Sequence, residues 1–193
     1  LFSQLRITYN LTLLAVHINH QIRGSESDAD QESVQELCSK LNIPLIIHKV
    51  KVPKTGNLEN HARKLRFSVF AKVLESYKFD KILLAHQRED QAETVLLNLF
   101  RGSGITGMAG IKAVSGKIVH PMLCFSRKEL EEILIQADIS WQTDSSNLDN
   151  KFRRNLLRNE LIPRLEQEFN PALSSHLSFL AELFAQADKI FKQ

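Results

Sequence analysis

The densest chemistry in the chain lies in residues 85–104, AHQREDQAETVLLNLFRGSG. A short apolar run stops at His86, and Arg88, Glu89, Asp90 and Glu93 follow at once. Asp90 and Glu93 stand three apart, which puts them on one side of a helix as it begins. Carboxylates at a helix N-terminus are stabilised by the dipole, and that is the plainest account of them. Capping needs one carboxylate, however, not three beside a histidine and an arginine. Such a set could hold magnesium on a triphosphate, because Mg²⁺ takes a few protein oxygens and completes its shell with phosphates. His86 could contact phosphate or transfer a proton. Function is the stronger reading of this stretch.

Three further segments carry reactive side chains. In HINHQIRG, His17, His20 and Arg23 recur at intervals of three behind an apolar run. No nearby cysteine or carboxylate completes a zinc set. That leaves a polar loop whose imidazoles satisfy backbone groups, or a nucleotide edge where histidine and arginine meet phosphate or base. In NLENHARKLRF, Arg63 and Arg66 share one side of a helix that also carries Glu59. A solvated face is the default there, and a guanidinium fork clamping phosphate is the alternative. The loop TDSSN leads into a basic stretch, with five Lys/Arg against Glu160 over residues 151–164. Arg154 and Arg158, four apart, point the same way. The excess charge suits a nucleic-acid backbone as well as a solvated face. Trp141 and Phe152 are the local aromatics able to stack on a base.

The elements that must position these residues alternate. Leu11–Val16 reads as a buried strand ending at His17, with cap-type residues at Ser25–Asp30 and a helix carrying Val34, Leu37, Cys38 and Leu41. Pro44–Val50 is strand-like, and a helix follows to about Tyr77. Lys81–Ala85 is the next strand, and Ala92, Val95, Leu96 and Leu99 mark the next helix. Strands and helices in this rhythm predict an α/β fold, a parallel sheet with flanking helices. Ligands in such sheets sit beyond the carboxyl ends of the strands, where His17 and His86 fall. The glycine-rich RGSGITGMAGI comes next, then a short strand at Ile118–His120 and a capping box from Ser126 to Glu129. Asn170-Pro171 opens a last helix, with Leu173, Leu177, Leu180, Phe184, Ala187 and Phe191 in one stripe. Phe179, Leu183 and Ile190 form a second stripe beside it, so this helix needs a partner.

Bulk properties exclude several classes. At 43% hydrophobic and 24% charged residues the chain is globular rather than disordered. No apolar run approaches the ~18 residues of a membrane span, so no membrane partner is expected. Two isolated cysteines, Cys38 and Cys124, fit a reducing cytoplasm and argue against structural zinc or an iron–sulfur cluster. The net charge of +3 permits a polyanionic partner without demanding one. The start at Leu1, with no methionine before Met108, reads as an excerpt from a longer chain.

In order and spacing, HINHQIRG, LENHARKLRF, HQREDQAETVLLNLFRGSG and TDSSN…RRNLLRNELIP resemble the tRNA(Ile)-lysidine synthetases of the PP-loop ATP-pyrophosphatase superfamily. The resemblance covers residues 1 to about 170. It implies a PP-loop ATPase fold of the adenine nucleotide alpha hydrolase type, followed by a helical C-terminal segment. It also implies a ligase that uses ATP, with magnesium, to adenylate C2 of the wobble cytidine of tRNA(Ile). The amine of free lysine then displaces AMP and leaves lysidine. On the matched motifs, His17, His20, Arg23, Arg63 and His86 would bind ATP. Asp90, His86 and Arg63 would be catalytic, with Asp90 the magnesium candidate or the group that orients the attacking amine. Arg101, Asp144, Asn147, Arg154, Asn155 and Arg158 would face the tRNA.

The resemblance divides the chain into a nucleotide-binding domain at 1–125, a helical tRNA-facing extension at 126–170 and a linker helix at 171–193. It leaves the oligomeric state open, a dimer included. This sequence departs from the family in two places. The Ser-Gly-Gly-x-Asp-Ser phosphate loop is not among its residues and belongs just ahead of Leu1, so these 193 residues alone are expected to be inactive. The usual pair of aspartates reads Glu89-Asp90. The alternatives are another PP-loop tRNA-modifying enzyme, or a non-catalytic tRNA- or nucleotide-binding fragment.

Overall fold

The structure, a computed structural model, describes residues 1–21, 24–51, 58–141 and 153–192. The chain divides into two compact units, Leu1–Asp80 and Lys81–Gln193. Each contains a parallel strand pair with helices, the pairing predicted from the alternating pattern. Among the described residues no helix is long and apolar enough to cross a membrane.

In the first unit β1 (Ala15–Asn19) runs parallel to β2 (Leu45–Lys49), with His17 opposite Ile47. A parallel pair needs a crossover, and α2 (Ser25–Lys40) supplies it while packing on β1. The residues expected as caps lie inside this helix: Gly24 takes the N-cap, and Glu26 and Asp28 sit in the first turn, where the dipole favours them. Arg6, just after α1 (Phe2–Leu5), donates to the carbonyls of Leu41 and Asn42 at the end of α2, at 3.4 and 3.1 Å. α3 (Leu58–Ser76) buries Val69, Phe70 and Val73.

The first strand runs later than the apolar stretch suggested. Its last residue is Asn19, only 2% exposed. The Asn19 amide donates to Ser27 O (3.2 Å), Asp28 Oδ1 (3.0 Å) and Gln31 Oε1 (3.2 Å), all on the first turns of α2. A polar side chain is buried here because its hydrogen bonds are made. The strand therefore extends past His17, which lies within it rather than at its end.

In the second unit β3 (Ile82–Leu83) pairs parallel with β5 (Ile118–Val119), and β4 (Val114–Ser115) joins β5 antiparallel. The hairpin turns at Gly116-Lys117 with Gly116 at φ +58°, a conformation that suits glycine in a two-residue loop. Too short for alternation to show, β4 was not foreseen. α4 (Arg88–Phe100), α5 (Ile105–Met108) and α9 (Leu173–Phe191) pack together. Their core is Ala92, Val95, Leu96, Leu157, Ile162, Leu177 and Ala181. Leu99, expected on the buried face of α4, is exposed. α9 starts at Leu173, two residues past Pro171, because Asn170 Oδ1 accepts from the Ala172 amide (3.0 Å) in a turn ahead of the helix. Its packed face is Ser174, Leu177, Ala181 and Asp188, while Leu180, Leu183, Ile190 and Phe191 are exposed. Small residues won that face because they let α9 approach α4 at Ala92, itself fully buried.

α6 (Arg127–Gln136) opens with the predicted capping box: Ser126 accepts from the Glu129 amide, and Glu129 accepts from Ser126 N at 2.7 Å. α7 (Arg153–Leu156) continues through a π turn, Leu157–Leu161, into α8 (Ile162–Glu168). Pro163 explains the wide turn, since its ring would clash with the carbonyl four residues back in a regular α-helix.

Candidate active site

In the first unit the histidine motif brings together imidazoles and one arginine. Burial pushes the His17 pKa down, and the nearby Asp30 carboxylate only partly offsets it. Burial also lowers His20, and the charges of Arg66 and His17 lower it further. Both rings are therefore neutral at pH 7. Among the described residues, the buried Nδ1 atoms of His20 and His61 have no hydrogen-bond partner. Gln21, next to His20, takes φ +53°, a left-handed conformation uncommon for a residue with a side chain. Of the two helix arginines it is Arg66, half-buried, that acts on His20. Arg63 is exposed and lies over the Phe67 ring, 5.1 Å from its centroid. One helical turn separates the two arginines, and only tertiary packing tells them apart. Arg23 lies outside the described residues.

The second unit answers why so many charges surround His86. Gln87 is the N-cap of α4, and its amide donates to Asp90 Oδ2 at 3.0 Å. The other Asp90 oxygen accepts from Nη2 of Arg154 (3.3 Å) and of Arg158 (3.0 Å). Glu93 is fully buried at 0% exposure. Its Oε2 takes Arg154 Nε at 2.5 Å and its Oε1 takes Arg158 Nε at 2.6 Å. Two carboxylates and two guanidiniums thus form a quartet of zero net charge. Burial works against the charged Arg158, yet its hydrogen bond and charge contacts to Glu93, then Asp90, outweigh that and raise its pKa. Arg88 and Glu89 serve a different purpose. Arg88 Nη2 donates to Cys124 O, and Glu89 Oε2 accepts from Arg127 N at 3.0 Å, so the pair ties α4 to the start of α6.

This arrangement corrects two expectations. Arg154 and Arg158 turn inward to carboxylates of α4, not outward to a polyanion. Asp90 does not fit a magnesium ligand, because both its oxygens are engaged and two guanidiniums flank the one a cation would use. Among the described residues no group of three or more His, Cys, Asp and Glu is gathered for a metal. Asn155 is half-buried on α7, and Arg101 is exposed at the end of α4. Asp144 and Asn147 lie outside the described residues. Beside the quartet, Glu93, Arg158, Arg88, Glu89 and Glu166 line a cavity of about 240 Å³.

The glycine-rich loop after Arg101 is held by α4. Gln91, 2% exposed, accepts from Ile111 N at 2.6 Å and donates to Ile111 O at 3.1 Å. Gly110 has φ +58°, and a Cβ there would lie 2.5 Å from Gln91 Oε1, so this clamp requires glycine. One residue missed in the sequence completes the setting of His86. The His120 ring meets it edge-on, with centroids 4.8 Å apart. Its only sequence signal was the end of a short apolar run, KIVH.

Parallel strands with crossover helices, and histidines at or beyond their carboxyl ends, define an α/β protein of nucleotide-binding type. More narrowly, the chain belongs to the PP-loop domain family, whose model matches residues 1–165. It is 40% identical to a tRNA(Ile)-lysidine synthase of Solibacter usitatus over 94% of this chain and 41% of the relative. It is 36% identical to the tRNA(Ile)-lysidine synthase of Caldanaerobacter subterraneus over 93% of this chain and 40% of the relative. The chain thus spans about two fifths of the length of these curated relatives. The fold is also that of the U34-tRNA thiolase NcsA from Methanococcus maripaludis, with a TM-score of 0.72 at 15% identity, over 94% of this chain and 65% of that one.

Proposed function

We propose that the protein is an ATP-dependent, tRNA-modifying ligase that joins free lysine to C2 of the wobble cytidine of tRNA(Ile). The observation that carries this reading is the neutral quartet of Asp90, Glu93, Arg154 and Arg158, anchored on the helix that begins two residues after His86. A helix start needs one carboxylate, and a second one, fully buried and fixed among three further ionised groups, serves chemistry better than capping. Similarity to the lysidine synthases supports the choice of substrate.

In this reading the C2 oxygen of the cytidine attacks the α-phosphorus of ATP and pyrophosphate leaves. The lysine amine then attacks C2, AMP leaves, and the amine gives up a proton. His86 meets phosphate or takes that proton. Asp90 Oδ2 accepts one bond, from the Gln87 amide, and its remaining lone pair orients the attacking group. Arg66, with the neutral His17 and His20, receives phosphate in place of Arg63, since a neutral imidazole can donate to an oxyanion without competing for its charge. Arg101, exposed where the glycine-rich loop begins, contacts the tRNA backbone. The wobble base must leave its stack to be modified. A tRNA substrate fits a cytoplasmic setting.

The test is ATP–pyrophosphate exchange by the complete protein, with and without tRNA(Ile), followed by mass spectrometry of nucleosides. Exchange that requires the tRNA, with lysidine in the digest, is the expected result. A thiolated or unmodified wobble position would reject the reading.

A further inference from the structure

The carboxyl edge of the β3–β5 pair ends in two histidines, and only one of them belongs to the charged motif. Leu83 lies opposite Val119, and Leu84 N donates to Val119 O at 2.9 Å, so the two chains leave the sheet side by side. His86 follows on one chain and His120 on the other. Their rings meet edge-on at 4.8 Å with an interplanar angle of 61°, a favourable aromatic geometry. The His120 ring is fixed from behind. Its Nδ1 lies 2.8 Å from Lys112 O, and since a carbonyl only accepts, Nδ1 carries the proton. Its backbone amide donates to Ala113 O at 2.9 Å. Lys112 is itself anchored: its Nζ sits 3.6 Å from Asp188, a buried carboxylate on α9 that also accepts from Thr106 Oγ1 at 2.5 Å and Lys192 Nζ at 2.8 Å.

A ring pinned through its backbone and one nitrogen meets a ring on a short connection between β3 and α4. The contact therefore couples the His86 ring to one whose own orientation is fixed. We propose that His120 is a positioning residue, a brace that sets the orientation of the His86 imidazole at the carboxyl edge of this strand pair. Its effect on rate rests on the function proposed above, whereas the brace itself does not.

The experiment uses the complete protein with His120→Ala and His120→Phe, both checked by thermal melting. It has two readouts: the His86 imidazole NMR signal, assigned with His86→Gln, and kcat and KM for ATP in tRNA-dependent pyrophosphate exchange. His120→Ala should move the His86 signal and lower kcat about tenfold, the scale of a misaligned reacting group. KM for ATP should stay within about twofold, because only positioning is lost. His120→Phe keeps an edge contact and should recover most of kcat. An unmoved His86 signal in His120→Ala overturns the brace whatever the reaction. Equal losses of kcat in the two variants also overturn it, since a ring nitrogen rather than the contact would then matter. If the unaltered protein shows no exchange, the proposed function fails, and the His86 signal alone decides the brace.

Discussion

The two units set histidines in or just beyond parallel strands among different neighbours. In the first, His17 and His20 are held neutral by burial, His20 sits beside the positive Arg66, and a buried nitrogen of His20 goes without a partner among the described residues. In the second, His86 stands before a network in which Asp90 uses both oxygens and Glu93 uses both of its own. An orphaned buried polar atom costs stability and is kept where a ligand repays it. A saturated ion network is rigid and keeps a geometry. Under the proposed function, the contrast gives binding to the first unit and alignment to the second.

Breaking the quartet should have the largest effect. Glu93→Ala removes a fully buried carboxylate and leaves two guanidiniums uncompensated. Its cost should be about 3–5 kcal/mol in urea unfolding, followed through Trp141. Replacing Glu93, Arg154 and Arg158 together by leucine and methionine should return most of that stability. If the triple variant stays as unstable as Glu93→Ala, the charges were not the cause. Asp90→Asn is the next step down in stability, since the amide still reaches the Gln87 N–H. It should cost only about 1 kcal/mol, yet lysidine formation should fall about 100-fold. Unchanged turnover would take Asp90 out of the mechanism.

What the sequence could reveal divides along the same line as local and distant contacts. The βα rhythm, the Ser126–Glu129 box and the helical placement of Asp90 and Glu93 depend on neighbours within a turn, so periodicity and cap chemistry reached them. The partners of Glu93 stand 61 and 65 residues away on a segment whose charge alone resembles a solvated face. Nothing within a helical turn distinguishes an arginine that meets a buried carboxylate from one that meets water. Asn19 shows the same limit: a polar residue at the end of an apolar run reads as a loop until α2 folds back and satisfies its amide. On α9 the expected stripe reaches the core at Leu173 and Leu177, and beside them packing selected Ser174 and Ala181 because close approach to α4 excludes bulk.

Two smaller effects sharpen the assignment of binding to the first unit. Arg66→Ala should raise KM for ATP about tenfold, the loss of one charged hydrogen-bonding group. Arg63→Ala, which removes an exposed cation from the half-buried Phe67 ring, should change it less than about twofold. Equal effects would erase the distinction between the two arginines.

The smallest expected effect is on stability against pH. His20 has a folded pKa below its ordinary 6.5, so between those two values the unfolded chain binds a proton that the folded chain refuses. Stability must therefore fall as pH drops through 6.5 and level off once the folded value is passed. His17 adds to the same trend, again with burial as the leading cause. Glu129 and Asp188, whose pKa values are lowered by their hydrogen bonds to Ser126 and Lys192, lose their contributions at lower pH, in the carboxylate range. Hydrogen exchange of the β1 amides at pH 5.5 and 7.0 reads the first unit directly. Protection, corrected for intrinsic exchange, should drop on acidification in the unaltered protein and drop less in His20→Gln. Identical drops would mean that His20 is solvated and protonated like a surface histidine, and the contrast between an edge with an unpartnered imidazole nitrogen and an edge backed by a saturated ion network would then rest on the quartet alone.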